Sequence, residues 1–148
     1  MSLFPNLDKK QTKKNAYKVL ESYRLLKNVA GIDFAPKVTA TYSFEPRSVT
    51  NVASNAMENH VVRQIVAQQE CHEIEKAINR VYDAFKRQIL IEKYCKQERS
   101  DISLYIDLEL TETEFYRDLE RAVLLFSEVY KNGILLVFEN GKSLADIL

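Results

Sequence analysis

Tryptophan is absent from this 148-residue chain, and glycine, proline and cysteine supply only three, three and two residues. Three glycines cannot form a glycine-rich phosphate loop, and two cysteines, Cys71 and Cys95, cannot form a disulfide framework. The longest apolar runs, such as 133–138, fall far short of the roughly 20 residues needed to cross a bilayer. Residues 1–6 lack the basic start and apolar stretch of a signal peptide. These absences point to a protein of a reduced cytoplasm without a membrane segment. What is present is 46% hydrophobic residues, enough for one compact domain or two very small ones and too many for a disordered tail protein.

Net charge is also missing, since 21 basic residues balance 21 acidic ones. The balance is uneven along the chain. Residues 1–37 hold eight basic side chains against three acidic, 38–99 nine against eight, and 100–148 four against ten. A basic beginning and an acidic end leave room for a basic surface, or for attraction between the two ends within or between chains.

Asp8 is placed to cap a helix whose apolar positions Ala16, Val19, Leu20, Tyr23, Leu26 and Ala30 follow helical spacing up to Gly31. Residues 1–31 thus form a basic amphipathic helix. Pro36 and Pro46 exclude a helix from 32–53, where Val38, Ala40, Tyr42 and Phe44 alternate with polar residues, so this span reads as an extended, strand-like linker or arm. Residues 54–132 return to helical periodicity. A long helix is expected to about Tyr82 and a shorter one through Ile89, Leu90, Ile91, Tyr94 and Cys95, with Asp83 the only capping signal between them.

Ser100 and Asp101 open a short helix. Thr111 and Glu114 then form a T-x-x-E capping box that opens a strong helix to Tyr130, with Phe115, Leu119, Ala122, Val123 and Phe126 on its buried side and Thr113, Arg117, Glu120 and Leu124 opposite. Two helices joined by a turn of about three residues, over about 100–130, fit a helix-turn-helix. Residues 133–148 form an apolar C-terminal tail marked by two Asn-Gly turn signals. Leu124, Leu125, Val129, Leu135 and Val137 form a surface that is either covered by the chain itself or used for a partner or a second copy.

Catalytic signals are weak. His60 and His72 lie about 18 Å apart on one expected helix, too far to share a metal, and Cys71 points away from His72 around that helix. Pairs such as Glu109 with Glu112 and Glu70 with Glu73 arise trivially in a chain with 28% charged residues. The expectation is a non-enzyme with no metal and no cofactor. DNA recognition is better supported: Thr113, Tyr116, Arg117 and Arg121 would project toward base edges, while Lys13, Lys14, Lys86, Arg87, Lys93 and the Thr111 amide would meet phosphates. Glu112, Glu114, Asp118 and Glu120 on the same helix oppose that role.

The stretch from Phe85, F-K-R-Q-I-L-I-E-K-Y, then residues 96–101, then I-S-L-Y-I-D-L-E-L-T-E-T-E-F-Y-R-D-L-E-R-A-V-L-L-F-S-E-V-Y, resembles the ArpU family of phage transcriptional regulators. The opening L-F-P-N-L-D-K-K-Q-T-K, the later Y-R-L-L-K and the P-K-V-T-A-T-Y-S segment from Pro36 are similar to the start of that family. The elements above read as an all-α protein, and the resemblance implies that its C-terminal region looks like the region 4 helix-turn-helix of sigma factors. It also implies a phage or prophage protein in the cytoplasm of a bacterial host, acting on promoter DNA of late packaging and lysis genes. Within F-Y-R-D-L-E-R-A, Phe115 and Ala122 would be core and Tyr116, Arg117 and Arg121 DNA contacts. RNA polymerase and a second copy are the further partners expected, and a protein-interaction adaptor with little direct DNA binding is the rival reading.

Overall fold

The structure, a computed structural model, describes residues 5–31 and 51–148, with side chains from Met57 onward in the second stretch. Helices dominate the described residues, and no strand occurs among them. In chain order they are α1 (Lys9–Glu21), α2 (Tyr23–Ala30), α3 (Asn51–Asn79), α4 (Ala84–Leu90), α5 (Asp101–Asp107), α6 (Glu112–Val129) and α7 (Leu144–Ile147). A π-helical turn, Ile91–Lys96, extends α4, and 3-10 turns cover Tyr130–Gly133 and Glu139–Gly141. The chain divides into two units, one made of residues 1–24 with Glu73–Leu148 and the other of Leu25–His72.

In the larger unit α6 is the central element. It packs on α1, α4 and α5, and its Phe115, Leu119, Ala122, Val123 and Phe126 are all buried. Ala16 and Leu20 from α1, Ile74, Ala77 and Ile78 from α3, Ile89 and Leu90 from α4 and Leu104 from α5 are also buried, which matches their helical spacing. The ends of the chain meet in this unit. Asp8 N–H donates to the Val137 carbonyl at 2.8 Å and Glu139 N–H to the Asn6 carbonyl at 2.8 Å, while Leu7 and Phe138 form an isolated antiparallel bridge. The Lys13 ammonium lies 3.4 Å from the Glu120 carboxylate, so part of the attraction between the basic and acidic ends acts within one chain.

Local signals account for most helix boundaries. Asp8 accepts from Gln11 N–H, Asp83 from Phe85 and Lys86 N–H, and Ser100 from Ser103 N–H. Thr111 and Glu114 form the expected reciprocal capping box, and Ser143 and Asp146 form a second one. Both Asn-Gly pairs turn the chain through the left-handed region, with φ of 58° and 83° at Asn132 and Gly133 and of 76° and 73° at Asn140 and Gly141. The second pair closes a small loop in which Phe138 N–H donates to the Lys142 carbonyl at 2.8 Å.

Four boundaries differ from expectation. The first helix breaks at Ser22, whose hydroxyl donates to the Val19 carbonyl at 2.6 Å and competes with the backbone ladder, so α2 is a separate helix. α3 begins at Asn51, which makes 51–53 helical rather than part of an arm; the alternating residues Val38, Ala40, Tyr42 and Phe44 lie outside the described residues. α3 also stops at Asn79 instead of continuing to Tyr82, and the carbonyl of the buried Val81, just past its end, is bound by the Arg87 guanidinium at 2.9 and 3.1 Å. The helix after Asp83 passes into the π-turn, where Gln97 N–H reaches five residues back to Glu92 and Gln97 takes φ 49°.

In the smaller unit α2 ends where expected. Gly31 has φ 66°, a left-handed conformation that favours glycine, whereas the one atom near a Cβ there, Gln64 Nε2 at 2.9 Å, ends a flexible side chain that can move aside. The Gln68 side-chain amide donates to the Ala30 carbonyl at 3.2 Å. α3 buries Ala67 and Cys71 on one side of this unit, whereas Met57, Val61, Val62, Ile65 and Val66 are exposed on another.

Three caps carry carboxylates held below the ordinary carboxylate range. For Asp83 the main cause is the hydrogen bond from the Lys86 ammonium; for Glu114 and Asp146 it is the backbone hydrogen bond at their N-cap residues, Thr111 and Ser143. A depressed folded-state pKa stabilises above the unfolded value of about 4 and is lost as pH falls through the folded value. The urea midpoint should therefore hold between about pH 7 and 5 and fall below about pH 4, with Glu114→Gln reducing the fall. A midpoint unchanged from pH 5 to 3 would show that these caps do not form in solution.

Candidate nucleic-acid interface

The capping box sets where α6 begins and hence which side chains it displays. Glu114 N–H donates to the Thr111 hydroxyl at 3.1 Å and Thr111 N–H to the Glu114 carboxylate at 2.9 Å. With Phe115 and Leu119 turned into the core, Thr113, Tyr116, Arg117, Glu120 and Arg121 are left exposed. Arg117 and Arg121 form no ion pair among the described residues, and Arg117 is near enough to Glu114 to favour its charged form.

Tyr116 is 40% exposed, and its ring meets the buried Phe115 edge-on at 5.1 Å. Its hydroxyl donates to Asp101 at 3.0 Å, a bond that raises the phenol's pKa. The same carboxylate receives the Lys93 ammonium at 2.8 and 3.0 Å, so Asp101 links the π-turn, α5 and α6. Sequence spacing does not reveal this link, because eight and fifteen residues separate Asp101 from its two partners across two turns.

The expected phosphate contacts fall into two groups. Lys14 is exposed and forms no ion pair among the described residues. The others already have partners: Lys13 has Glu120, Lys86 has Asp83 at 3.0 Å, Lys93 has Asp101, Arg87 has the Val81 carbonyl, and the Thr111 amide has Glu114. Arg99, not singled out by the sequence, bonds to Asp107 and lies 3.7 Å from Glu92. Leu124, Leu125, Val129, Leu135 and Val137 are half-buried. The larger exposed apolar face lies on α3, whose helical apolar spacing at Met57, Val61 and Ile65 is visible in the sequence but says nothing of whether those side chains are covered.

His60 and His72 are exposed and Cys71 is buried, so the structure does not bring them together. Among the described residues no group of three His, Cys, Asp or Glu side chains could hold a metal, and no helix is long and apolar enough to cross a membrane.

The described residues define a helical protein whose larger unit is built around one capped helix, α6, with an exposed face of mixed charge. No family model matches the chain, and no solved structure does. A putative autolysin regulatory protein ArpU of Streptococcus phage O1205 is 35% identical over 138 residues, which cover 91% of this chain and 98% of that protein. The chain belongs to the ArpU family. A protein of the same name from Enterococcus hirae is 25% identical over 94% of this chain and 100% of its own length, and an uncharacterised phage-related protein of Listeria innocua is 23% identical over 83% and 90%.

Proposed function

We propose that the protein is a DNA-binding regulator, rather than an enzyme, that controls transcription of phage late genes for packaging and lysis in the cytoplasm of a bacterial host. The observation that carries this reading is the exposed face of α6, where Arg117 and Arg121 stand without ion pairs beside Thr113 and Tyr116. The names of two relatives, which describe autolysin regulation, support the process. In this reading α5 and α6 act as a sigma region 4-like helix-turn-helix, α6 enters the major groove, and Arg117 and Arg121 donate to base edges. Lys14 meets a phosphate directly. Lys13, Lys86 and Lys93 exchange a carboxylate (Glu120, Asp83 and Asp101) for a phosphate, and the counterions that the DNA releases make this step salt-sensitive. RNA polymerase is a further partner in this reading.

Arg117→Ala should weaken binding to the promoter region of the adjacent late genes by about 1–3 kcal/mol and relax its specificity. Lys14→Ala should weaken all sequences alike and flatten the salt dependence. Fluorescence anisotropy at several salt concentrations checks both; an Arg117→Ala protein that binds as tightly and selectively as the parent would overturn the assignment of α6.

A second reading, self-association as an interaction module, is supported by the exposed Met57, Val61, Val62, Ile65 and Val66 of α3. Light scattering separates the two: a defined oligomer with no DNA binding at low salt favours the module.

A further inference from the structure

Away from the exposed face of α6, a cavity of about 280 Å³ lies beside the end of α3 and the turn that follows α6. Glu73, Lys76, Arg80, Val129, Lys131 and Asn132 line it. Three cations thus face one carboxylate, and that carboxylate is already 3.6 Å from the Lys76 ammonium. Glu73, Lys76 and Arg80 recur at steps of three and four residues, which places them along one side of α3 and its continuation. The opposite wall is unusual: Lys131 and Asn132 both take left-handed backbone conformations, with φ of 44° and 58°. At Asn132 this is the Asn-Gly turn that ends the helix, a conformation asparagine readily takes, whereas at Lys131 it is rare for a side chain. The Lys131 ammonium also lies 5.5 Å from the centre of the Tyr130 ring, which restricts its position.

We propose that Lys76, Arg80, Lys131 and Asn132 form a subsite for a phosphate-type oxyanion, supplied by a nucleic-acid backbone or by a free phosphate group. Arg80 offers a planar fork of donors, the two lysines offer point charges, and Asn132 offers an uncharged amide donor. Val129 forms an apolar wall, which lowers the local dielectric and strengthens the charge attraction. Glu73 disfavours a weakly charged ligand, because the attraction must exceed its repulsion. Val129 is twelve residues beyond Arg117, about 18 Å along α6, so the subsite is distinct from the proposed base-reading face. The backbone source rests on the DNA-binding function proposed above; the free-phosphate source does not.

The full chain is titrated with sodium phosphate against sodium chloride at equal ionic strength, and amide shifts are followed by NMR. Shifts should be centred on Arg80, Lys131 and Asn132. The Arg80→Gln/Lys131→Gln pair should bind phosphate at least roughly tenfold more weakly, and Glu73→Gln should bind it more tightly. An unchanged urea midpoint in each variant confirms that the fold is intact.

The slope of DNA affinity against salt identifies the source. A slope reduced by about one to two in the double variant assigns a backbone phosphate, whether or not free phosphate also binds. A lost phosphate response with an unchanged slope assigns free phosphate. If neither the phosphate response nor the slope differs between parent and double variant, the subsite is refuted. Should the parent bind no DNA, the function proposed above fails and the phosphate titration alone decides the subsite.

Discussion

Phe115→Ala should lower the unfolding free energy of the larger unit by about 3–5 kcal/mol, the usual cost of removing a buried phenyl ring and leaving a cavity. Phe115 has no solvent exposure. Its ring lies 5.7 Å from Tyr105, just before the end of α5, and 5.1 Å from Tyr116. One side chain thus holds the α5–α6 pair together at the turn of α6 where the exposed face begins. The loss is read as a shift of the urea midpoint at constant m-value. Phe85→Ala is the internal control: that ring is 37% exposed and should cost much less. Equal effects at both positions would mean that the core is not centred on α6.

Thr12→Val should cost about 1–3 kcal/mol despite preserving the volume of the side chain. The Thr12 hydroxyl is buried, donates to the Val137 carbonyl at 3.3 Å and accepts from Val137 N–H at 3.0 Å. Without it the carbonyl keeps its bond from Asp8 N–H, whereas the described structure offers the Val137 N–H no other acceptor. The cost therefore arises from a single orphaned donor. Faster hydrogen exchange at Val137 should accompany it, and Thr12→Ser, which keeps the hydroxyl, should leave that exchange rate close to the parent's. Rapid exchange at Val137 already in the parent would refute the account.

Much of the helical content was legible because it rests on local chemistry. Asp8, Asp83, Ser100 and Thr111 are short polar side chains placed just before apolar periodicity, and each caps the helix that it announces. The buried side of α6 could be read from a 3.6-residue period in the same way. The break at Ser22 could not, because serine within a helical pattern is common and only its bond to Val19 decides the matter. The π-turn after Leu90, which contains the buried Tyr94, has no local signature.

At the candidate site, the exposure of Thr113, Tyr116, Arg117 and Arg121 followed from helical phase once Phe115 was assigned to the core. Which cations were already occupied did not follow. Lys13 meets Glu120 and Lys93 meets Asp101 only after separate helices pack, and an excess of positive charge counted along the chain overstates what is free to meet a phosphate.

The tie between Thr12 and Val137 also bears on how the chain is made. Synthesis runs from the first residue to the last, so α1 leaves the ribosome well before α6, against which it packs, and before residue 137, whose backbone it binds. Until then Ala16 and Leu20 have no permanent cover from those elements. Closure of the larger unit is consequently a late, long-range event, slower than the formation of its individual helices. During translation, the basic first helix is therefore open to capture by a chaperone or by another nascent copy until those elements emerge.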